Sequence, residues 1–276
     1  MHFINRNILQ VPEKLAEYKE LYTDGWLSYI ELKKIESQKP KGERQTISQP
    51  TDNEWNNDLI REPLVKLFKS NCGYCGKNIF KKGKVSGKGD YPLGHVDHFI
   101  PKSVDGNCVY EWKNYVWSCK NCNGAKQDFY DEKVHILDPC NKLDTEKLIF
   151  NSLDGSYSIV EDSREEEQFI RKYNNTNLRT TYLIRDICEE RALIYFEFDF
   201  ILAEMKEKYN QLPNVIAEER ISMLKNSLEL KISKNKDFIF LKIWIIEKFI
   251  QRTNKGNYKD FIRYLEDKIL VYLNSL

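Results

Sequence analysis

Cys72-Gly73-Tyr74-Cys75 and Cys119-Lys120-Asn121-Cys122 decide how this chain is read, with Gly94-His95-Val96-Asp97-His98-Phe99-Ile100-Pro101-Lys102-Ser103 between them. Two Cys-x-x-Cys knuckles separated by 43 residues offer four thiolates, the ligand set of a closed tetrahedral structural zinc site. That spacer is longer than in a compact zinc ribbon, so the knuckles would clamp a folded insert. The alternatives are buried free cysteines or a redox Cys-x-x-Cys. A duplicated pair with Gly or Asn in its turns favours zinc on Cys72, Cys75, Cys119 and Cys122. His95 is the substitute ligand for a mixed site, and Cys108, Cys140 and Cys188 stand alone and receive no role.

Within the insert, Val96, His98 and Ile100 alternate with His95, Asp97 and Phe99, which suits a strand closed by Pro101. Adjacent Asp97 and His98 then diverge to opposite faces. Trp112-Lys113-Asn114-Tyr115-Val116-Trp117-Ser118 is a second strand candidate, followed at once by a knuckle leading into a helix, Cys119 to Lys126.

Outside the insert the chain reads as helical. Leu15, Tyr18, Leu21 and Tyr22 carry an amphipathic spacing, with a possible break at Asp24-Gly25. Polar residues 37–53 form a loop, and Asp52 or Asn53 is placed to cap a helix running from Trp55 to Phe68. KLIF and SYSIV around Asp154-Gly155 signal a hairpin, and helical periodicity takes over from about Glu165. The cluster Glu165-Glu166-Glu167 suits a helix first turn. The expected fold is α+β and mostly helical, divided into a helical lead-in (1–70), the zinc-stapled core (71–135) and a hairpin followed by a helical half (136–276).

With 276 residues, 41% apolar and 31% charged, the chain has the composition of an ordinary globular protein and excludes collagen-like or mainly disordered classes. The most apolar stretch, 237–250, is interrupted by Lys242, Glu247 and Lys248, so it reads as a core helix and not a membrane span. No secretory pattern is seen near the N-terminus, and the cysteine usage suits the reducing cytoplasm. Formal charge is only +1, but residues 66–126 hold 11 Lys and no Arg against 4 acids. The local excess, which includes KKGKVSGKGD (81–90), is the footprint of a polyanion-binding surface.

His-x-Asp-His-x-x-Pro, an Asn before the second strand, and Cys-x-x-Cys-Asn-x-x-Lys resemble the HNH, or ββα-metal, nucleases in their zinc-stapled form, matched from Cys72 to Lys126. Asn114 takes the middle position of the motif name and Asn123 the last. This resemblance implies a small ββα-metal core and phosphodiester hydrolysis. His98 would be the general base. Asp97 and Asn123 would ligate a catalytic Mg²⁺ or Mn²⁺ acting as Lewis acid. Asn114 would hold the loop between the strands and so orient His98, while Lys126 and Lys102 would contact the phosphate backbone. His95 is left without a decided role.

The wider layout, including Leu137-Asp138-Pro139-Cys140, resembles the HNH subunits of Septu-type anti-phage systems, the PtuB proteins, retron-associated relatives included. That likeness implies an ATPase partner of the ABC or SMC-like kind; no Gly-x-x-x-x-Gly-Lys-Ser/Thr loop is present here, so any ATP hydrolysis would come from another chain. DNA is the expected substrate, with RNA such as tRNA as the alternative. A competing class is a zinc-stabilised binding module with a dead HNH remnant, against which the intact Asp97, His98 and Asn123 argue. The stripes Leu183, Ile187, Ile194, Phe198 and Phe238, Leu241, Ile245, Phe249 read first as core and second as a docking face.

Overall fold

The computed structural model describes residues 3–81, 91–130, 137–159, 181–234, 237–253 and 258–274. The lysine-rich segment 82–90 and Glu165 to Glu167 lie outside the described residues. Helix α1 (Lys14–Gln38) runs unbroken through Asp24-Gly25, where the sequence predicts a break. The reason is tertiary. Leu15, Trp26 and Tyr29 on this helix are buried, and Trp26 meets Tyr29 and Trp55 edge-on at 5.8 Å between ring centroids. Burying each such side chain contributes about 2 kcal/mol or more, which outweighs the roughly 1 kcal/mol that a helical glycine costs.

Helix α2 (Asp58–Leu67) buries Ile60, Leu64 and Leu67 on one face. Its cap is Asn57, whose side chain accepts a hydrogen bond from Leu59 N at 3.0 Å, in place of Asp52 or Asn53. A 3₁₀ turn, Glu54–Asn56, intervenes, and the Asp52 carboxylate is taken up elsewhere by Trp26 Nε1 at 2.9 Å and by the Tyr110 hydroxyl.

The insert opens with two short antiparallel strands, β1 (Phe80–Lys81) and β2 (Tyr91–Pro92). Strand β3 (His95–His98) pairs antiparallel with β4 (Tyr115–Ser118) in the register His95 to Ser118, Val96 to Trp117, Asp97 to Val116 and His98 to Tyr115. The sequence places strand from Trp112, but residues Trp112–Asn114 form a 3₁₀ turn that delivers Asn114 to the loop. Helix α3 (Lys120–Lys126) follows, with the Cys119 thiol capping it by accepting from Cys122 N at 3.4 Å. β3, β4 and α3 form a ββα unit whose strands are largely buried, with α2 packed against β4, and α3 and the 3₁₀ turn Glu54–Asn56 against β3.

Beyond a short helix α4 (Lys142–Glu146), β5 (Leu148–Phe150) and β6 (Tyr157–Ile159) form the hairpin expected around Asp154-Gly155. Gly155 takes a left-handed φ of +69°, and a Cβ there would fall 1.8 Å from the Cys188 carbonyl oxygen, so glycine is required twice over. Among the described residues four helices follow: α5 (Thr181–Tyr209), α6 (Val215–Lys234), α7 (Ile239–Arg252) and α8 (Lys259–Asn274). The two apolar stripes are core: Ile187, Ile194, Phe198, Phe238, Leu241 and Ile245 are buried and Phe249 is half-buried. The Leu183 side chain lies outside the described residues. Among the described residues no helix is long and apolar enough to cross a membrane.

The C-terminal half grips the first knuckle. Phe238 N donates to Gly76 O at 2.9 Å, Asn78 N to Asp237 Oδ1 at 2.8 Å, and Lys77 pairs with Glu190 at 3.1 Å.

Candidate functional site

The ligand sulfurs of Cys72, Cys75, Cys119 and Cys122 all lie within 4.8 Å of one another, with no disulfide among them. Tetrahedral zinc thiolates, at about 2.3 Å from the ion, stand roughly 3.8 Å apart, so the cluster fits a tetrahedral metal ion. Cys119 N also donates to Cys72 Sγ at 3.3 Å, while burial pushes the Cys72 thiol well above its usual pKa. The Cys75 thiol is pulled well below the usual range, first by hydrogen bonds from the other three thiols and further by the Arg191 cation. Arg191, on α5, is 5% exposed. It donates to Cys75 O at 2.8 and 3.3 Å and to Gly155 O at 3.3 Å, and its plane covers the Tyr157 ring. Those hydrogen bonds go to neutral carbonyls, so a full positive charge is buried beside the cysteines. Four thiolates around a divalent ion carry a net −2, which is the countercharge that such a cation needs.

Asp97 and His98 leave β3 toward different surroundings, as adjacent strand residues must. The Asp97 carboxylate is 4% exposed. Its Oδ2 accepts from the Tyr74 hydroxyl at 2.5 Å and its Oδ1 from Lys126 Nζ at 3.2 Å. Burial raises its pKa, opposed by the Lys126 charge and the Tyr74 hydrogen bond. The His98 ring is 7% exposed, set edge-on to Trp55 at 5.2 Å and to Tyr115 at 5.3 Å. Its Nε2 lies 3.0 Å from Val109 O. A carbonyl only accepts, so Nε2 carries the hydrogen and Nδ1 keeps its lone pair. Burial, reinforced by the Lys102 charge, lowers the imidazole pKa to about 3, so the ring is neutral.

Asn114 is buried and spans the loop between the strands. Its Oδ1 accepts from Ile100 N at 2.7 Å, and its Nδ2 donates to Ile100 O at 3.0 Å and Cys108 O at 2.8 Å. The loop so fastened carries Val109, the His98 acceptor. Asn123 sits half-exposed on α3. It stands three residues before Lys126, one turn away on α3.

The sequence expects Lys126 at the phosphate backbone, but the structure turns it inward, where it donates to His98 O at 2.7 Å besides pairing with Asp97. Lys102 is half-buried, with Nζ 4.0 Å above the Trp55 ring and 5.0 Å from that of Trp26, and burial lowers its pKa. His95 is exposed on β3. Four contributors escape sequence reasoning: Tyr74, Trp55, the Val109 carbonyl and Arg191. Of these only Tyr74 carries a local signal, its place inside a knuckle.

A ββα unit stapled by four cysteines, with a buried Asp-His pair on its first strand, defines the class of this region. Residues 72–129 are an HNH endonuclease domain, and the sequence model of the family described as HNH endonuclease matches them. Among curated proteins the chain is similar to the Septu protein PtuB of Bacillus thuringiensis, 31% identical over 85 residues, which cover 31% of this chain and 30% of that protein. It is also similar to the Septu protein PtuB of Bacillus mycoides (strain KBAB4), 22% identical over 219 residues, 67% of this chain and 68% of that protein. The first match therefore spans less than a third of its relative's length. No solved structure matches the chain.

Proposed function

We propose that this chain is a metal-dependent endonuclease that hydrolyses DNA phosphodiester bonds, with His98 as general base. The observation that carries the reading is the fixed tautomer of His98: Nε2–H is spent on Val109 O, and a neutral ring presents Nδ1 as acceptor. Nδ1 takes the proton of an attacking water. A phosphate placed beside the ring raises its proton affinity at the moment of transfer, because a nearby negative charge favours the imidazolium. Trp55 and Tyr115 prevent the ring from turning, Asn114 keeps Val109 in place, and Lys126 anchors the backbone of His98 through its carbonyl.

Asp97 and Asn123 would hold a Mg²⁺ or Mn²⁺ ion, which supplies Lewis-acid charge to the scissile phosphate and the leaving oxygen. Cys72, Cys75, Cys119 and Cys122 would hold zinc in a structural role. Lys102, beside His98 on its aromatic seat, is positioned to meet a phosphate. Lys126 would act on Asp97 and His98 from within.

The similarity to two Septu proteins supports the further reading that the chain is the nuclease subunit of an anti-phage complex in the bacterial cytoplasm, working with an ATPase partner of the ABC or SMC-like kind. The helical regions 1–70 and 136–276 would flank the nuclease core of 71–135. The test is nicking of supercoiled plasmid by purified chain, alone and with the ATPase, in Mg²⁺ or Mn²⁺. Cutting that depends on the metal and is lost in His98→Ala is expected. Cutting of RNA and not DNA would redirect the substrate, and absence of cutting in every combination would favour a binding module.

A further inference from the structure

Asp97 is held at its two carboxylate oxygens by groups that hang from opposite halves of the cysteine cluster. Tyr74 lies within the first knuckle, between Cys72 and Cys75, and its hydroxyl donates to Oδ2 at 2.5 Å. Lys126 ends α3, the helix that contains Cys122 and is capped by Cys119, and reaches Oδ1 at 3.2 Å. The knuckle is fastened to the sheet and packed closely on it. Gly73 N donates to Trp117 O in β4 at 2.8 Å, and a Cβ on Gly73 would fall 2.5 Å from Phe68 Cε1 and 2.8 Å from Val116 Cγ1. Tyr74 sits on a turn whose two ends are members of the cluster, so the closure of the four cysteines and the Gly73–Trp117 bond together set where its hydroxyl falls relative to β3.

We propose that Tyr74 is a positioning residue that transmits the geometry of the zinc site to Asp97, so that the cysteine cluster and the divalent-ion site are thermodynamically coupled. This rests on the reading of Asp97 as a ligand of the hydrolytic ion. A buried carboxylate rotates about its terminal bond unless a donor fixes it. With Tyr74 on Oδ2 and Lys126 on Oδ1 the carboxylate is fixed in one rotamer, and a lone pair on each oxygen is left for an ion. Groups that orient a metal ligand in this way are worth about 10- to 100-fold in metal affinity.

The experiment titrates Mn²⁺ into the full-length, zinc-loaded chain by calorimetry, for the wild type, Tyr74→Phe and Asp97→Ala, with zinc content measured in each. Tyr74→Phe is expected to keep its zinc and weaken Mn²⁺ binding by about 10-fold or more, with Asp97→Ala weaker still. Wild-type affinity in Tyr74→Phe alongside loss in Asp97→Ala overturns the proposal and leaves the ligand reading intact. Wild-type affinity in Asp97→Ala removes the ligand reading, and the proposal with it. For the case in which Tyr74→Phe does not retain zinc, the wild type with Co²⁺ in the cysteine site decides. Its thiolate absorption bands shift on saturation with Mn²⁺ if the sites are coupled, and an unmoved spectrum overturns the coupling.

Discussion

Asn114→Ala removes three side-chain hydrogen bonds from a buried position while leaving the strands and both knuckles untouched. At about 1 kcal/mol per bond, the loss comes to roughly 3 kcal/mol, and it rises if Ile100 N and Cys108 O stay buried without partners. The loop that relaxes is the one that carries Val109, so the fixed tautomer of His98 is lost with it. The expected outcome has two parts. Urea unfolding of the zinc-loaded chain shows the stability loss with an unchanged denaturant slope. Plasmid cleavage falls by about 10-fold or more, while Mn²⁺ affinity stays at the wild-type level because Asp97 is held by other residues. Asn114→Asp keeps the acceptor for Ile100 N but sets a buried carboxylate oxygen against the carbonyls of Ile100 and Cys108, and should be at least as damaging as Asn114→Ala at neutral pH. A variant that loses stability yet cleaves at the wild-type rate would refute the link from Asn114 through Val109 to His98.

Cys72→Ser or Cys122→Ser should abolish zinc retention and lower the unfolding midpoint, measured by metal content and thermal melting, since structural zinc is itself folding free energy. Lys126→Met leaves the Asp97 carboxylate buried without its cation and should cost about 3–5 kcal/mol in urea unfolding at neutral pH; a loss under about 1 kcal/mol would contradict the buried pair. The pH dependence of stability has a definite sign. Folding depresses the His98 pKa from 6.5 to about 3, so the unfolded state binds the extra proton between those values and stability falls as pH is lowered through that window. Relative to His98→Asn, the wild type should lose about 1.4 kcal/mol per pH unit there, read from unfolding midpoints in a pH series.

What was legible in the sequence was local. Ligand spacing within each knuckle is a property of four consecutive residues, so the cysteine cluster could be read without the fold. The divergence of Asp97 from His98 follows from strand geometry, and Asp154-Gly155 marked its own hairpin. The rest depends on partners distant in the chain. The resemblance sets Lys126 against the phosphate backbone, yet a buried carboxylate 29 residues earlier draws it inside. Asp24-Gly25 looks like a helix break until Trp26 and Tyr29 are seen packed, and Asp52 looks like a cap until Trp26 and Tyr110 claim it. Arg191 had no sequence signal at all: its role exists only because α5 passes over a knuckle 116 residues away.

Chemical rescue tests the role of His98 most directly. The quantity is the rate of plasmid nicking by His98→Gly in Mg²⁺, with the proposed ATPase partner present, as imidazole is added. Removal of the base is expected to lower the rate by about 10²- to 10⁴-fold, and imidazole should restore part of it in a saturable way, with no effect on Asp97→Ala. A His98→Gly protein that cuts at the wild-type rate without imidazole would contradict the assignment of His98 as the base.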